Sequence, residues 1–207
     1  MKTMQSILLA VTLLASTMAM AANFKTINQS INAENFSALQ VEFSVGELEI
    51  DVWDGDTVEL EIELRAERSW LTWRRKDVED VELDIQEKGG ALMLSIDEGK
   101  LNQSWVLKVP ARLALEIDLG VGEISIDGLN NNLVGELGVG EFSIKTSSED
   151  FDMIQASVGV GDASLRGFGS GSENERSLVS ADAIYVGSGE YEVEVEVGVG
   201  EVSIRRN

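Results

Sequence analysis

Cysteine and histidine are both missing from this 207-residue chain, and proline occurs once, at Pro110. Without cysteine there is no disulfide framework, no thiolate metal site and no lipid-modified N-terminal cysteine. Without histidine the commonest general base and metal ligand is gone, and a serine nucleophile lacks its usual partner. No Walker loop, dinucleotide fingerprint or nucleophile elbow occurs. Gly167-Phe168-Gly169-Ser170-Gly171 superficially has the look of a phosphate cradle, but no Lys-Ser/Thr pair follows it. A glycosidase-like carboxylate pair has nothing to mark it out among 37 Asp and Glu residues. The expectation is a protein that is not an enzyme, with no catalytic residues, no cofactor and no metal ligands.

Positive charge is also scarce, with 16 Lys and Arg against 37 acids. One of those cations, Lys2, opens an N-terminal segment with an apolar run, Ile7-Leu8-Leu9-Ala10-Val11-Thr12-Leu13-Leu14, and a small-x-small close at Ala19-Met20-Ala21. This is the pattern of a signal peptide at 1–21, cleaved before Ala22. The mature chain would then carry 15 cations against 37 acids, a net charge of −22. Such a charge repels nucleic acid and anionic surfaces at long range. No later stretch approaches the roughly 20 apolar residues a membrane span needs, and no C-terminal anchor is expected. An exported, periplasmic or secreted protein is expected. Residues 22–207 are long enough for one domain with a core, and a hydrophobic content of 43% argues against disorder.

What the chain does have is a repeated phrase. Val45-Gly46-Glu47-Leu48, Val121-Gly122-Glu123-Ile124, Val139-Gly140-Glu141-Phe142, Val160-Gly161-Asp162-Ala163 and Val199-Gly200-Glu201-Val202 each join two alternating apolar/polar runs. Leu115, Ile117, Leu119 and Val121 are apolar at odd numbers, whereas Ile124 and Ile126 are even. One residue is inserted into a period of two, and a bulge or corner at Gly-Glu keeps both runs facing one core. The phrases at Gly122, Gly140, Gly161 and Gly200 are spaced by 18, 21 and 39 residues. A weaker copy at Gly187-Ser188-Gly189-Glu190-Tyr191 and an opposite corner at Asp127–Asn132 fit coils. The Gly167–Glu175 stretch reads as a mobile loop between coils.

The N-terminal part reads as ordinary sheet. It has strands at Leu39–Val45, Leu48–Val52 and Val58–Ala66, a hairpin pairing Val81, Leu83 and Ile85 with Leu92, Leu94 and Ile96, and a strand at Trp105–Val109. Helical periodicity appears nowhere after residue 21. The fold class expected is all-β: a repeat-built β-solenoid (residues 111–207) with an N-terminal hairpin-rich sheet portion (22–110). The rival is an antiparallel sandwich in which the Val-Gly phrases are turns.

Trp105-x-Leu107-x-Val109-Pro110, followed by alternating apolar residues and Gly-x-Gly-Glu-x-Ser-Ile repeats, resembles the bacterial "putative adhesin" family of exported β-strand-repeat proteins. The resemblance spans about residues 38–205. It implies an all-β repeat fold in the cell envelope and transfers no functional residues.

Three features are candidates for function. Glu123, Glu141, Asp162 and Glu201 would stack as an acidic ladder about 5 Å apart, each neighbouring pair repelling by roughly 0.8 kcal/mol in water. Ca²⁺ would relieve that, but solvent tolerates it, and the Ca²⁺-binding nonapeptide of β-rolls is absent. Ser125, Ser143, Ser164 and Ser203 form an adjoining hydroxyl ladder, read as cross-strand hydrogen bonding. The partner-binding candidate is Arg68, Trp70, Trp73, Arg74, Arg75 and Lys76: with Arg65, five cations and two indoles within twelve residues. Such a mixture suits lipid headgroups, glycans or an acidic protein groove, although tryptophans packed on a hairpin with cations paired to Glu67, Asp77, Glu79 and Asp80 would look the same. The reading is a non-enzymatic, adhesin-like structural or interaction module of the cell envelope. Its partner would be an unknown envelope protein, glycan or lipid headgroup. The alternative is a Ca²⁺-binding envelope protein.

Overall fold

Val58, Leu60, Ile62 and Leu64 alternate with Glu59 and Glu61, and the chain forms there a strand that buries the apolar set and exposes the acids. The same rule builds the rest of the molecule. The computed structural model describes residues 24–66, 78–98, 101–169, 172–176 (backbone alone) and 180–207. The expected signal peptide at 1–21 and the segment Arg68–Lys76 lie outside the described residues.

In chain order the strands are β1 (Phe24–Asn32), β2 (Ala38–Trp53), β3 (Thr57–Ala66), β4 (Asp84–Lys88), β5 (Ala91–Ile96), β6 (Leu101–Pro110), β7 (Ala114–Asp127), β8 (Leu133–Thr146), β9 (Phe151–Arg166), β10 (Ser172–Arg176), β11 (Ala181–Val186) and β12 (Tyr191–Arg206). A 3-10 turn lies at Val78–Asp80. All the strands belong to one mixed sheet in the order β1-β3-β6-β2-β7-β8-β12-β9-β11-β10, with β4 paired to β5 beside it.

The middle of that sheet is parallel. β2, β7, β8, β12 and β9 lie side by side and in register, so Gly46, Gly122, Gly140, Gly200 and Gly161 are consecutive neighbours. On the far side of β2, β5 pairs with its first half and β6 with its second, also parallel. Antiparallel strands flank this stack: β3 and β1 beyond β6, and β11 and β10 beyond β9. Parallel pairing of the repeats excludes the hairpin sandwich. The strand order also departs from a coil-after-coil progression, because β12 sits between β8 and β9. The sheet does not close on itself.

Each central strand bends at its Gly-acid step. In β7, Leu115, Ile117 and Leu119 are buried and so are Ile124 and Ile126, with exposed or half-buried residues between. The two halves face each other: a Cβ on Gly135 in the first half of β8 would come within 2.5 Å of the Phe142 ring in its second half. The glycine is there because the phenylalanine fills its space. Rows of core residues run across the strands, as in Phe43, Leu119, Leu137, Val197 and Val158, all 4% exposed or less. Each such side chain contributes about 1.5–3 kcal/mol by leaving water. Leu129, in the turn between β7 and β8, is also buried. At the β6 end Phe43 stacks on Trp105 at 5.1 Å, and the indole Nε1 donates to Oε1 of buried Gln103 at 3.0 Å. That bond satisfies the indole inside the core.

Two sequence expectations need correction. Leu39–Val45 and Leu48–Val52 are one bent strand rather than two. Residues 172–175 of the Gly167–Glu175 stretch, read as a mobile loop, belong instead to strand β10 (Ser172–Arg176), paired with β11. The Gly187–Tyr191 phrase lies at the connection into β12, where the Gly187 and Gly189 amides donate to the Asp152 and Phe151 carbonyls.

Candidate interaction surface

The bend decides which side chains reach solvent. Gly46, Gly122, Gly140, Gly161 and Gly200 have φ between 143° and 151°, where L side chains are strained. A Cβ at Gly140 would overlap the carbonyl oxygen of Gly122, and the same holds down the column. Neighbouring backbones therefore meet at the bend with nothing between them. Two positions before the bend, β7, β8, β9 and β12 carry a further glycine: Gly120, Gly138, Gly159 and Gly198. Each of those strands thus carries a valine between two glycines.

Those valines are not core residues. Val121, Val139, Val199 and Val160 are neighbours in register and are 46, 45, 46 and 51% exposed. The alternation in the sequence places them inside with Leu119; the structure ends the buried series at Leu119 and resumes it at Ile124. The physical reason is local. A valine flanked by glycines has no neighbouring side chains to cover it, and the backbone turns before it can point into the core. That Gly-Val-Gly context was the available signal.

Carboxylates line both sides of the valine row. One column is Glu47, Glu123, Glu141, Glu201 and Asp162, the alignment expected from the repeats, although Glu201 stands between Glu141 and Asp162. The other, toward the strand starts, is Glu42, Asp118, Glu136, Glu196 and Ser157. Among the described residues Glu47, Glu123, Glu141 and Glu201 form no ion pair. Cations collect instead near the strand ends, in the column Asp51, Asp127, Lys145, Arg205 and Arg166, where Lys145 pairs with Asp127 at 3.8 Å.

Next to the acidic column the face of the second half-strands holds an open cleft of about 300 Å³. Glu47, Glu49, Glu123 and Glu141 line it together with Ser104, Ser125, Ser143 and Val106. Its polar side chains are carboxylates and hydroxyls, suited to accepting hydrogen bonds from cationic or hydroxyl-bearing groups. Among the described residues no three acidic side chains converge closely enough to hold a metal ion. The hydroxyl ladder is half-buried: Ser143 Oγ donates to the Ile124 carbonyl at 3.5 Å, while Ser164 Oγ is buried without a partner.

The basic-aromatic candidate, Arg68, Trp70, Trp73, Arg74, Arg75 and Lys76, lies outside the described residues, just beyond the end of β3. Its described neighbour Arg65 is exposed and pairs with Glu63 at 2.8 Å.

No protein-family model and no curated protein matches the sequence. The fold is similar to the solved structure of a "putative cell adhesion protein" from Clostridium sporogenes, at 17% identity, with 89% of this chain and 100% of that one covered and a TM-score of 0.52. A "putative adhesin" from Bacteroides fragilis covers 87% of this chain and 97% of its own length at 12% identity, with a TM-score of 0.36. The resemblance drawn from the Trp105–Pro110 pattern and the repeats is met at the level of architecture. No helix among the described residues is long and apolar enough to cross a membrane.

Proposed function

We propose that this chain is a non-enzymatic, adhesin-like interaction module of the bacterial cell envelope, exported after cleavage before Ala22. The observation that carries the reading is the in-register parallel stack, which repeats one set of side chains from strand to strand about 4.8 Å apart. A frame of that kind suits recognition, because its side chains are held in position before a partner arrives. Likeness of fold to a protein described as a cell adhesion protein supports the same direction. The parallel strands are read as stacked turns of a β-solenoid whose order in space differs from their order in the chain, flanked by antiparallel strands. Arg68, Trp70, Trp73, Arg74, Arg75 and Lys76 are proposed as a contact segment for an envelope protein, glycan or lipid headgroup. The Ca²⁺ reading has no converging ligand set among the described residues to favour it.

The test is association of the purified protein with bacterial envelope fractions. Replacing Trp70, Trp73, Arg74 and Arg75 with Ser should abolish association without changing the melting temperature, and binding of the parent should weaken with salt. Undiminished association of the quadruple variant would remove the segment from the proposal.

A further inference from the structure

An exposed aliphatic row is unusual on a surface this charged, and its surroundings say what it fits. Val121, Val139, Val199 and Val160 are each about half exposed and follow one another strand by strand. The two columns that flank them hold acids at nine of ten positions and a cation at none. A uniformly acidic surface would not concentrate its cations elsewhere, yet Lys145, Arg205 and Arg166 sit near the strand ends in a single column. Glycine rows separate the valines from the carboxylates, so no bulky side chain obstructs approach from either side.

We propose that this face docks a basic amphipathic helix, its apolar stripe on the valine row and its Lys and Arg side chains on the two carboxylate columns. The proposal deepens the interaction reading by naming a surface and a partner chemistry, and it rests on that reading for its biological setting. Charge complementarity excludes an anionic or purely apolar occupant. Spacing selects the helix. Strands repeat at about 4.8 Å and helical turns at about 5.4 Å, so one apolar residue per turn stays within about 2 Å of a valine across four strands. An extended peptide repeats same-face side chains every 6.6 Å or so and loses register after one or two strands.

The probe is a synthetic 18-residue helix-forming peptide with a leucine stripe bordered by lysines, titrated into the full protein by fluorescence anisotropy. A scrambled peptide of the same composition and a peptide with glutamate for lysine are the controls. The designed peptide should bind at least about tenfold more tightly than the scrambled one, and the glutamate peptide not at all. The double variant Val139→Ser/Val199→Ser should lose about tenfold in affinity. Glu136→Gln/Glu141→Gln, which removes one acid from each column, should weaken binding at low salt and flatten its salt dependence. Val139→Thr/Val199→Thr conserves shape and guards against a folding artefact, and all variants should keep the parent melting temperature.

Equal affinity for designed and scrambled peptides would reduce the effect to general attraction by an acidic protein and overturn the proposal, as would absence of binding. Self-association of the protein alone, abolished by the valine variants, would also overturn it by making a second copy the occupant. None of these titrations depends on residues 68–76, so their outcome is independent of the envelope assay.

Discussion

A methyl group is enough to separate the two kinds of glycine in this chain. At Gly140 the backbone has φ 145° and an added Cβ would overlap the Gly122 carbonyl, so Gly140→Ala requires two strands to move apart at the bend. The expected loss exceeds about 3 kcal/mol, combining backbone strain with the clash. Gly89, in the hairpin between β4 and β5, has φ 63° and open space around its Cβ position. Gly89→Ala should cost only about 1 kcal/mol, the ordinary penalty of left-handed backbone. Thermal melts of the two variants side by side check this; equal shifts would mean that the backbones at the bend are not in close contact. The bend glycine was readable in the sequence, because the alternation of apolar residues changes parity across it. Gln103 was not: a glutamine whose job is to satisfy a buried indole carries no local pattern.

Strands are where the sequence was most transparent and also where it misled. The period of two located β2, β3, β5, β6, β7 and β8 because each buries one face, and burial is what writes the pattern. It failed at Val121 and its equivalents, since hydrophobicity alone does not distinguish an inward valine from one stranded at a turn. It failed again at residues 172–176, where Ser-Glu-Asn-Glu-Arg has no apolar alternation and the strand exists through backbone pairing with β11. Two substitutions in β8 expose the difference. Leu137 is 2% exposed and Val139 is 45% exposed, although two residues apart in a strand would ordinarily share a face. Leu137→Asp buries an unpaired carboxylate and should unfold the protein at room temperature. Val139→Asp should shift stability by less than about 1 kcal/mol. Denaturant unfolding followed by circular dichroism reads both, and similar losses would place Val139 inside.

For the whole molecule the decisive fact is that β12, the last of the described strands in sequence order, lies between β8 and β9. The repeats could not reveal this. Every Gly-acid phrase offers the same partner surface, so any two copies pair in register equally well; only the long 39-residue gap between Gly161 and Gly200 hinted that something else intervened. An end coil of a simple repeat array can be removed and leave the remainder folded. Here a chain ending at Glu190 loses contacts on both sides of the gap and should lose its cooperative thermal transition altogether. Retention of a sharp transition at a lower temperature would show that β9 had closed onto β8 in its place, which their shared register permits.

That central position also bears on how the protein is made. Synthesis delivers residues 191–206 after the other described strands of this sheet, so their neighbours β8 and β9 cannot be joined until they have emerged. Until then two parallel edges, those of β8 and β9, remain unpaired and open to proteases or to the β12 of another copy. A chain stopped before residue 191 therefore lacks the strand that joins β8 to β9, and quality control has a defect inside the sheet to recognise rather than a frayed edge.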